Sequence, residues 1–276
     1  MTVPLVSELL AIAREAETII NDVYAKSFGV EYKRPGDPVT PADTRANELI
    51  CARLAARYPN TPVVAEESDP SQFSGFRSSR RVFFVDPLDG TREFVGRNGQ
   101  FVVMIGLLDG ERPRAGLILA PTSGTAWAGV VGTGAWRIAR GGSSEPVQVS
   151  PETNLSQARV VLSRSHRGAL AQRGAEVLGV AGAELVGSAG LKSAMVADGS
   201  ADGYVAPEGR GMRWDACAAE ALIMAAGGRF TDWDGKLIDY RSETLANERG
   251  VLASNSRLHP LLLERLAELR SRPAPA

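Results

Sequence analysis

The chain has 276 residues, and its 31 Lys and Arg against 32 Asp and Glu give a formal charge of -1. That balance excludes recruitment of a nucleic-acid polymer or an anionic membrane surface by bulk electrostatics. With 44% hydrophobic and 23% charged residues, the composition is that of an ordinary globular protein with one large core or two smaller ones, and it disfavours disorder, collagen and a disulfide scaffold.

From Val3 to Lys26, apolar residues recur at Val6, Leu9, Leu10, Ala13, Ala16, Ile19, Ile20 and Val23, the spacing of one helical stripe. Glu8, Arg14, Glu15 and Glu17 interrupt any signal-peptide core there, and no apolar run approaches the roughly 20 residues a membrane-spanning helix needs. A loop is expected over Gly29 to Asp37. A second helix should start near Thr40 to Asp43 and stop at Pro59. Val63 to Ala65 and Val82 to Val85 read as short buried strands. Phe101 to Leu108, Ala115 to Leu119, Thr125 to Val131 and Ala135 to Ile138 then suggest an antiparallel meander, broken by Asp109-Gly110, Pro121 and Gly132.

Gly141 to Pro146 is the expected linker between an N-terminal α+β half, residues 1–145, and a C-terminal α/β half, residues 146–276. In the second half, strands at Arg159 to Ser163, Ala183 to Val186 and Gly203 to Val205 alternate with helices near Ala169 to Leu178 and Gly190 to Asp198. A helix from Asp215 to Ala226 ends at Gly227-Gly228, and a last one near His259 to Leu269 has Pro260 in its first turn.

The chemistry is concentrated in acids at element ends. The apolar run Phe83 to Val85 leads into Asp86-Pro87-Leu88-Asp89-Gly90-Thr91. Pro87 restrains the turn, so Asp86, Asp89 and the Leu88 carbonyl can converge as a hard-oxygen set suited to Mg2+. Gly90 permits close backbone approach, and the N–H groups after it can hold a phosphate oxygen. The competing reading is a hairpin turn at Asp89-Gly90 with Asp86 capping it. Val63 to Ala65 likewise leads into Glu66-Glu67, which could be a solvated loop edge, and Asp215 could simply be a helix N-cap. Together, acids at three element ends are what a multi-metal phosphate site requires. Cys51 and Cys217 form no C-x-x-C arrangement, which points to a reducing cytoplasm; Cys217, on an apolar helix, reads as a small core residue.

Val39-Thr40-Pro41-Ala42-Asp43, Ala65-Glu66-Glu67-Ser68, Asp86-Pro87-Leu88-Asp89-Gly90-Thr91, and Trp214-Asp215 followed by Gly227-Gly228 resemble, in order, the signatures of the inositol monophosphatase superfamily of magnesium-dependent, lithium-sensitive phosphatases. Within it the chain is most similar to the 3'(2'),5'-bisphosphate nucleotidases. Thr91-Arg92-Glu93-Phe94 with Arg97 to Phe101, Ser163-Arg164-Ser165-His166 and Gly187 to Lys192 carry that likeness. Trp214 to Glu220 departs from the animal members' pattern at Ala216 and Ala219, and Pro207 to Gly211 lacks the Gly-Pro-Thr of many bacterial members.

The resemblance implies a layered α-β-α-β-α sandwich of the sugar-phosphatase type and two or three Mg2+ per site. Glu66, Asp86 and the Leu88 carbonyl would hold one ion, and Asp86, Asp89 and Asp215 a second, with Glu66 reaching a third through water. Asp43 and Thr91 would activate the attacking water, and Gly90 and Thr91 N–H groups would grip the phosphate. Ser163, His166, Ser188 and Lys192 would contact the nucleotide. The implied reaction removes the 3'-phosphate of adenosine 3',5'-bisphosphate, and of its sulfate-bearing analogue, in a cytoplasmic monomer or homodimer with no nucleic-acid polymer or membrane partner. An inositol or sugar phosphatase of the same fold and a non-catalytic nucleotide- or metal-binding relative are the alternatives.

Overall fold

The computed structural model describes residues 3–73, 75–164 and 169–271. Helix α1 (Pro4–Tyr24) buries Val6, Leu9, Ala13, Ala16, Ile20 and Val23, the stripe its sequence spacing predicts. The segment expected as a loop is a small hairpin, β1 (Glu31–Arg34) with β2 (Asp37–Val39). All of β1 is exposed, so no apolar alternation marked it as a strand. Helix α2 (Pro41–Arg57) follows, with Thr40 as its N-cap.

The meander is a seven-stranded sheet made of β3 (Val63–Ala65), β4 (Arg81–Asp89), β5 (Val102–Asp109), β6 (Arg112–Ala120), β7 (Thr125–Val130), β8 (Gly134–Ile138) and β9 (Ser144–Val147), paired in that order. A short helix, α3 (Thr91–Val95), leaves the end of β4. Only the β3–β4 pair is parallel. Strand β9 overlaps the stretch read as a linker; it is an edge strand whose first three residues are exposed.

Strands β10 (Arg159–Ser163), β11 (Gly182–Val186) and β12 (Gly203–Ala206) run parallel, with α4 (Ala169–Leu178) and α5 (Ala189–Ala197) between them in sequence. After α6 (Arg213–Ala225), β13 (Gly228–Thr231) and β14 (Val251–Asn255) complete a five-stranded sheet of order β11-β10-β12-β14-β13, with β14 antiparallel to both neighbours. Helix α7 (His259–Ser271) closes the described chain.

The layers follow from burial on both faces of both sheets. Phe83, Val85, Val103, Ile105, Leu117 and Leu119 point to α1 and α2, while Val82, Phe84, Met104 and Ile118 point to α5 and α6. In the second sheet, Val161 and Ala253 face α5 and α6, whereas Val160, Leu162, Val205 and Leu252 face α4 and α7. Two covered faces explain why the strands read as near-continuous apolar runs. The result is the α-β-α-β-α sandwich expected from the sequence, with α5 and α6 as its shared central layer.

How α6 sits in that layer is set by glycine. Gly106, Gly116 and Gly129 lie side by side across β5, β6 and β7. A Cβ on Gly106 would fall 2.5 Å from the Ala218 nitrogen, on Gly116 2.1 Å from the Ala218 oxygen, and on Gly129 2.8 Å from Leu222 Cα. The helix backbone therefore rests in a trough that has no room for side chains, and the small Ala218, Ala221 and Ala225 make the contact. Gly116→Ala should lower stability by about 1–3 kcal/mol in equilibrium denaturation, as overpacking does. Gly29→Ala, where a Cβ would meet nothing within 4 Å, is the neutral control.

Candidate active site

Four of the aspartates share one construction. Asp43 is the third residue of α2, and its Oδ2 accepts from the Thr40 N–H (2.8 Å) and the Thr40 hydroxyl (2.6 Å). Its Oδ1 accepts from the Thr91 hydroxyl at 2.8 Å. Asp215 is the third residue of α6, and its Oδ2 accepts from the Met212 N–H at 2.7 Å. Asp86 Oδ1 accepts from the Leu88 N–H at 2.9 Å, inside an irregularity of β4 where pairing with β5 shifts between Asp86 and Asp89. Asp89 Oδ2 accepts from the Ser188 hydroxyl (2.5 Å) and the Gly190 N–H (2.7 Å), which ties β4 to the start of α5. The capping and metal readings are thus compatible: one carboxylate oxygen serves the backbone, and a carboxylate has two.

Glu66, Asp86 and Asp215 converge, each offering one oxygen, with these oxygens all within 4.8 Å of one another. Glu66 follows β3, Asp86 lies on β4 and Asp215 on α6, so three separate elements meet here. The Leu88 carbonyl oxygen lies 3.3 Å from Thr91 Oγ1, which puts it beside the Asp43–Thr91 pair. Gly90 has φ +102°, and a Cβ there would lie 2.9 Å from the Gln100 oxygen, so only glycine fits between β4 and Thr91.

The family model described as the inositol monophosphatase family matches residues 3–271. This chain belongs to the inositol monophosphatase family. It is 36% identical over 242 residues to the 3'(2'),5'-bisphosphate nucleotidase CysQ of Escherichia coli K12, an alignment covering 86% of this chain and 94% of that one. The CysQ of Salmonella typhimurium LT2 is 35% identical over 244 residues, with the same coverage of both chains. In three dimensions the chain superposes on the extragenic suppressor protein SuhB of Bartonella henselae with TM-score 0.80 at 26% identity, covering 96% of this chain and 98% of that one. A Thermotoga maritima IMPase matches with TM-score 0.83 at 22% identity over 97% of this chain and 98% of that one, a likeness of fold. As a member of the family, the chain is an enzyme of the phosphatase class.

Electrostatics in the site are governed by crowding. Burial, and then repulsion from Glu66 and Asp89, push the Asp86 and Asp215 carboxyls well above the ordinary range. Glu66 is also raised, by burial first, although Lys33 opposes the shift. Lys33 reaches over from the β1–β2 hairpin, its Nζ 3.0 Å from Glu66 Oε1 and 2.5 Å from Glu67 Oε1. Glu67 is pushed up to about 7 by burial and by Glu66. All ligand atoms on offer are hard oxygens, and their mutual repulsion is what a divalent cation relieves. The donor set fits Mg2+.

Of the expected nucleotide contacts, Ser163, Ser188 and Lys192 line one pocket beside this cluster, together with Tyr204, Arg210 and Asn247. Lys192 is only 2% exposed, and its Nζ donates to the carbonyls of Val186 (3.2 Å) and Ser188 (2.5 Å) and sits over the Tyr204 ring. Burial lowers it to about 8. Ser188 itself has φ +58°, so Lys192 braces a left-handed residue that in turn holds Asp89. His166 lies outside the described residues. Lys33, Arg210 and Asn247 also line these pockets, although no catalytic or ligand motif marks them. Only the segment around Lys33 carries a local signal, a basic pair, Lys33-Arg34, ahead of a Pro35-Gly36 turn.

The raised carboxyls fix the sign of a pH effect. A folded pKa above the unfolded one gives stability that is present at low pH and lost as pH rises through the folded value. Metal-free protein should therefore lose stability as pH climbs from the ordinary carboxylate range toward neutrality. Mg2+ at 100 times its Kd should return about 2.7 kcal/mol at neutral pH. Asp86→Asn, which can keep the bond to the Leu88 N–H, should raise metal-free stability at neutral pH and shrink the Mg2+-induced gain. Thermal denaturation scans across pH with EDTA or Mg2+ read both effects.

Proposed function

We propose that this chain is a Mg2+-dependent phosphatase that removes the 3'-phosphate of adenosine 3',5'-bisphosphate, and of its sulfate-bearing analogue, giving the 5'-nucleotide and phosphate. The observation that carries the reading is the convergence of Glu66, Asp86 and Asp215 in one chamber with Thr91, whose hydroxyl meets the buried Asp43, while Thr91 and Asp215 also line an adjoining pocket with Ser163 and Ser188. The extensive similarity to nucleotidases named CysQ supports the substrate class.

In this reading Glu66, Asp86, the Leu88 carbonyl, Asp89 and Asp215 would hold the Mg2+ ions. Bound there, Mg2+ would supply a Lewis acid toward the phosphoryl oxygens and lower the pKa of coordinated water. Thr91 and Asp43 handle the proton. With its own hydrogen committed to Asp43 Oδ1, the Thr91 oxygen turns its lone pairs to the pocket and accepts a hydrogen bond from the attacking water. Asp43 is held above the ordinary carboxylate value by burial, against the lowering effect of the Thr40 and Thr91 hydrogen bonds. The water proton passes toward this pair while the P–O bond to the 3'-oxygen breaks in line, and the proton returns from the pair through solvent water to that oxygen, which leaves as the ribose hydroxyl. Asp89 keeps Oδ1 for the site because Oδ2 is spent on Ser188 and Gly190. Gly90 and Thr91 would present backbone N–H groups beside the reacting phosphate, and Ser163 and Ser188 line the nucleotide side, with Lys192 bracing Ser188 from behind.

Phosphate release from adenosine 3',5'-bisphosphate, inositol 1-phosphate and fructose 1,6-bisphosphate, with Mg2+ and with or without Li+, tests the proposal. The nucleotide should give the highest kcat/KM. Asp89→Ala should abolish turnover, and Thr91→Ala should lower kcat by about 10²- to 10⁴-fold. The acid limb of the rate profile should lie above the ordinary aspartate pKa of about 3.9, because Asp43 must be ionised to take the Thr91 hydrogen. Preference for inositol 1-phosphate would instead assign the chain to the sugar-phosphate branch, and full activity in Asp89→Ala would remove the mechanism.

A further inference from the structure

A bisphosphorylated substrate brings two dianionic groups into one cavity, and the cluster around Asp86 accounts for one of them. The second needs a cation that is near the site yet not already committed. Most basic residues lining the two adjoining pockets have partners. Lys33 is held by Glu66 and Glu67, Arg34 by Asp37, Arg92 by the Gly36 carbonyl, and Lys192 by two backbone carbonyls.

Arg210 differs. It lines both the chamber containing Glu66, Asp86 and Asp215 and the pocket containing Ser163 and Ser188. Its side chain is exposed, and it has no hydrogen-bond or ion-pair partner among the described residues. The backbone that carries it is nonetheless fixed. Gly209 N–H donates to the Glu248 carbonyl at 3.0 Å, Asn247 N–H donates to the Gly211 carbonyl at 2.9 Å, and Asn247 Nδ2 donates to the Met212 carbonyl at 2.8 Å. Gly209 and Gly211, at φ +68° and +78°, turn the chain on either side of the arginine. A Cβ on Gly211 would lie 3.1 Å from Asp215 Oδ2, so the turn sits directly against the acid cluster. Next to it, Glu208 is turned outward and paired with Arg270, which leaves the guanidinium without a competing carboxylate from its own loop.

We propose that Arg210 grips the second, non-reacting phosphate of a bisphosphorylated substrate and thereby sets the preference of this chain for such substrates over monophosphates. The inference rests on the nucleotidase reading above and assigns its specificity to one residue. A guanidinium presents a planar fork of N–H donors that matches a terminal phosphate, and a pinned backbone reduces the ordering needed on binding. No apolar pattern marks the segment as part of a site; its place between two pockets does.

The test compares kcat/KM on adenosine 3',5'-bisphosphate and adenosine 3'-monophosphate, with Mg2+, for the full chain and for Arg210→Gln and Arg210→Lys. Arg210→Gln should lower kcat/KM on the bisphosphate on the order of 10- to 100-fold, the cost of losing a charge-assisted contact, with KM carrying the change. The monophosphate should be unaffected, and Arg210→Lys should recover part of the loss. The wild-type preference should also shrink with added salt, since the guanidinium is exposed. Equal losses on both substrates, or no loss on either, would overturn the assignment of Arg210 while leaving the nucleotidase reading intact. A wild-type chain that prefers inositol 1-phosphate to both nucleotides would overturn the nucleotidase reading, and this assignment with it.

Discussion

The position of one helix backbone decides whether this protein has a site. Helix α6 lies on a trough of three aligned glycines, and the approach is so close that its backbone atoms occupy the space of the missing Cβ atoms. Gly106 pairs with Phe84, two residues before Asp86. The trough therefore fixes the distance between Asp215, at the start of α6, and the acids at the end of β4. A helix displaced by one side-chain diameter would still bury apolar surface but would separate Asp215 from Asp86. Packing density, more than local acid spacing, sets the geometry of the cluster.

Bringing Glu66, Asp86 and Asp215 together opposes folding in the absence of a cation, since each carboxylate is desolvated and faces like charge. The fold offsets this in two ways. Backbone N–H groups at helix starts and within β4 supply fixed partial positive charge, and Lys33 brings a full one from an exposed hairpin. The remaining imbalance favours divalent-ion binding. Stability and ion affinity are consequently drawn from the same residues, and changes that improve one weaken the other.

Much of this was legible in the sequence, for identifiable reasons. The α1 stripe and the meander follow from periodicity, and the Asp86 to Thr91 segment announces itself because Pro, Gly and two acids are compressed at a strand end. What escaped notice depends on register or on exposure. Strands β1 and β9 are edge or hairpin strands dominated by polar residues, so they lack alternation. Strands β13 and β14 turn the second sheet antiparallel at one side, which an alternation of strands and helices does not foretell. The glycine row consists of residues far apart in the chain that become neighbours only once the strands are aligned. Lys192, expected among the nucleotide contacts, lines the pocket but commits its ammonium to the Val186 and Ser188 carbonyls, a role that no local motif announces.

The double duty of the aspartates bears on how such a site decays over evolutionary time. Asp43, Asp86, Asp89 and Asp215 each hold a backbone N–H as well as facing the site, so a chain released from selection for chemistry would still be penalised for losing them. Asparagine could take over much of that structural task. Glu66 holds no backbone group; among the described contacts, only Lys33 holds it. Its loss would cost the fold least. In comparing chains of this architecture, the glutamate after the short parallel strand is thus a sharper marker of retained catalysis than the more conspicuous Asp-Pro-Leu-Asp segment.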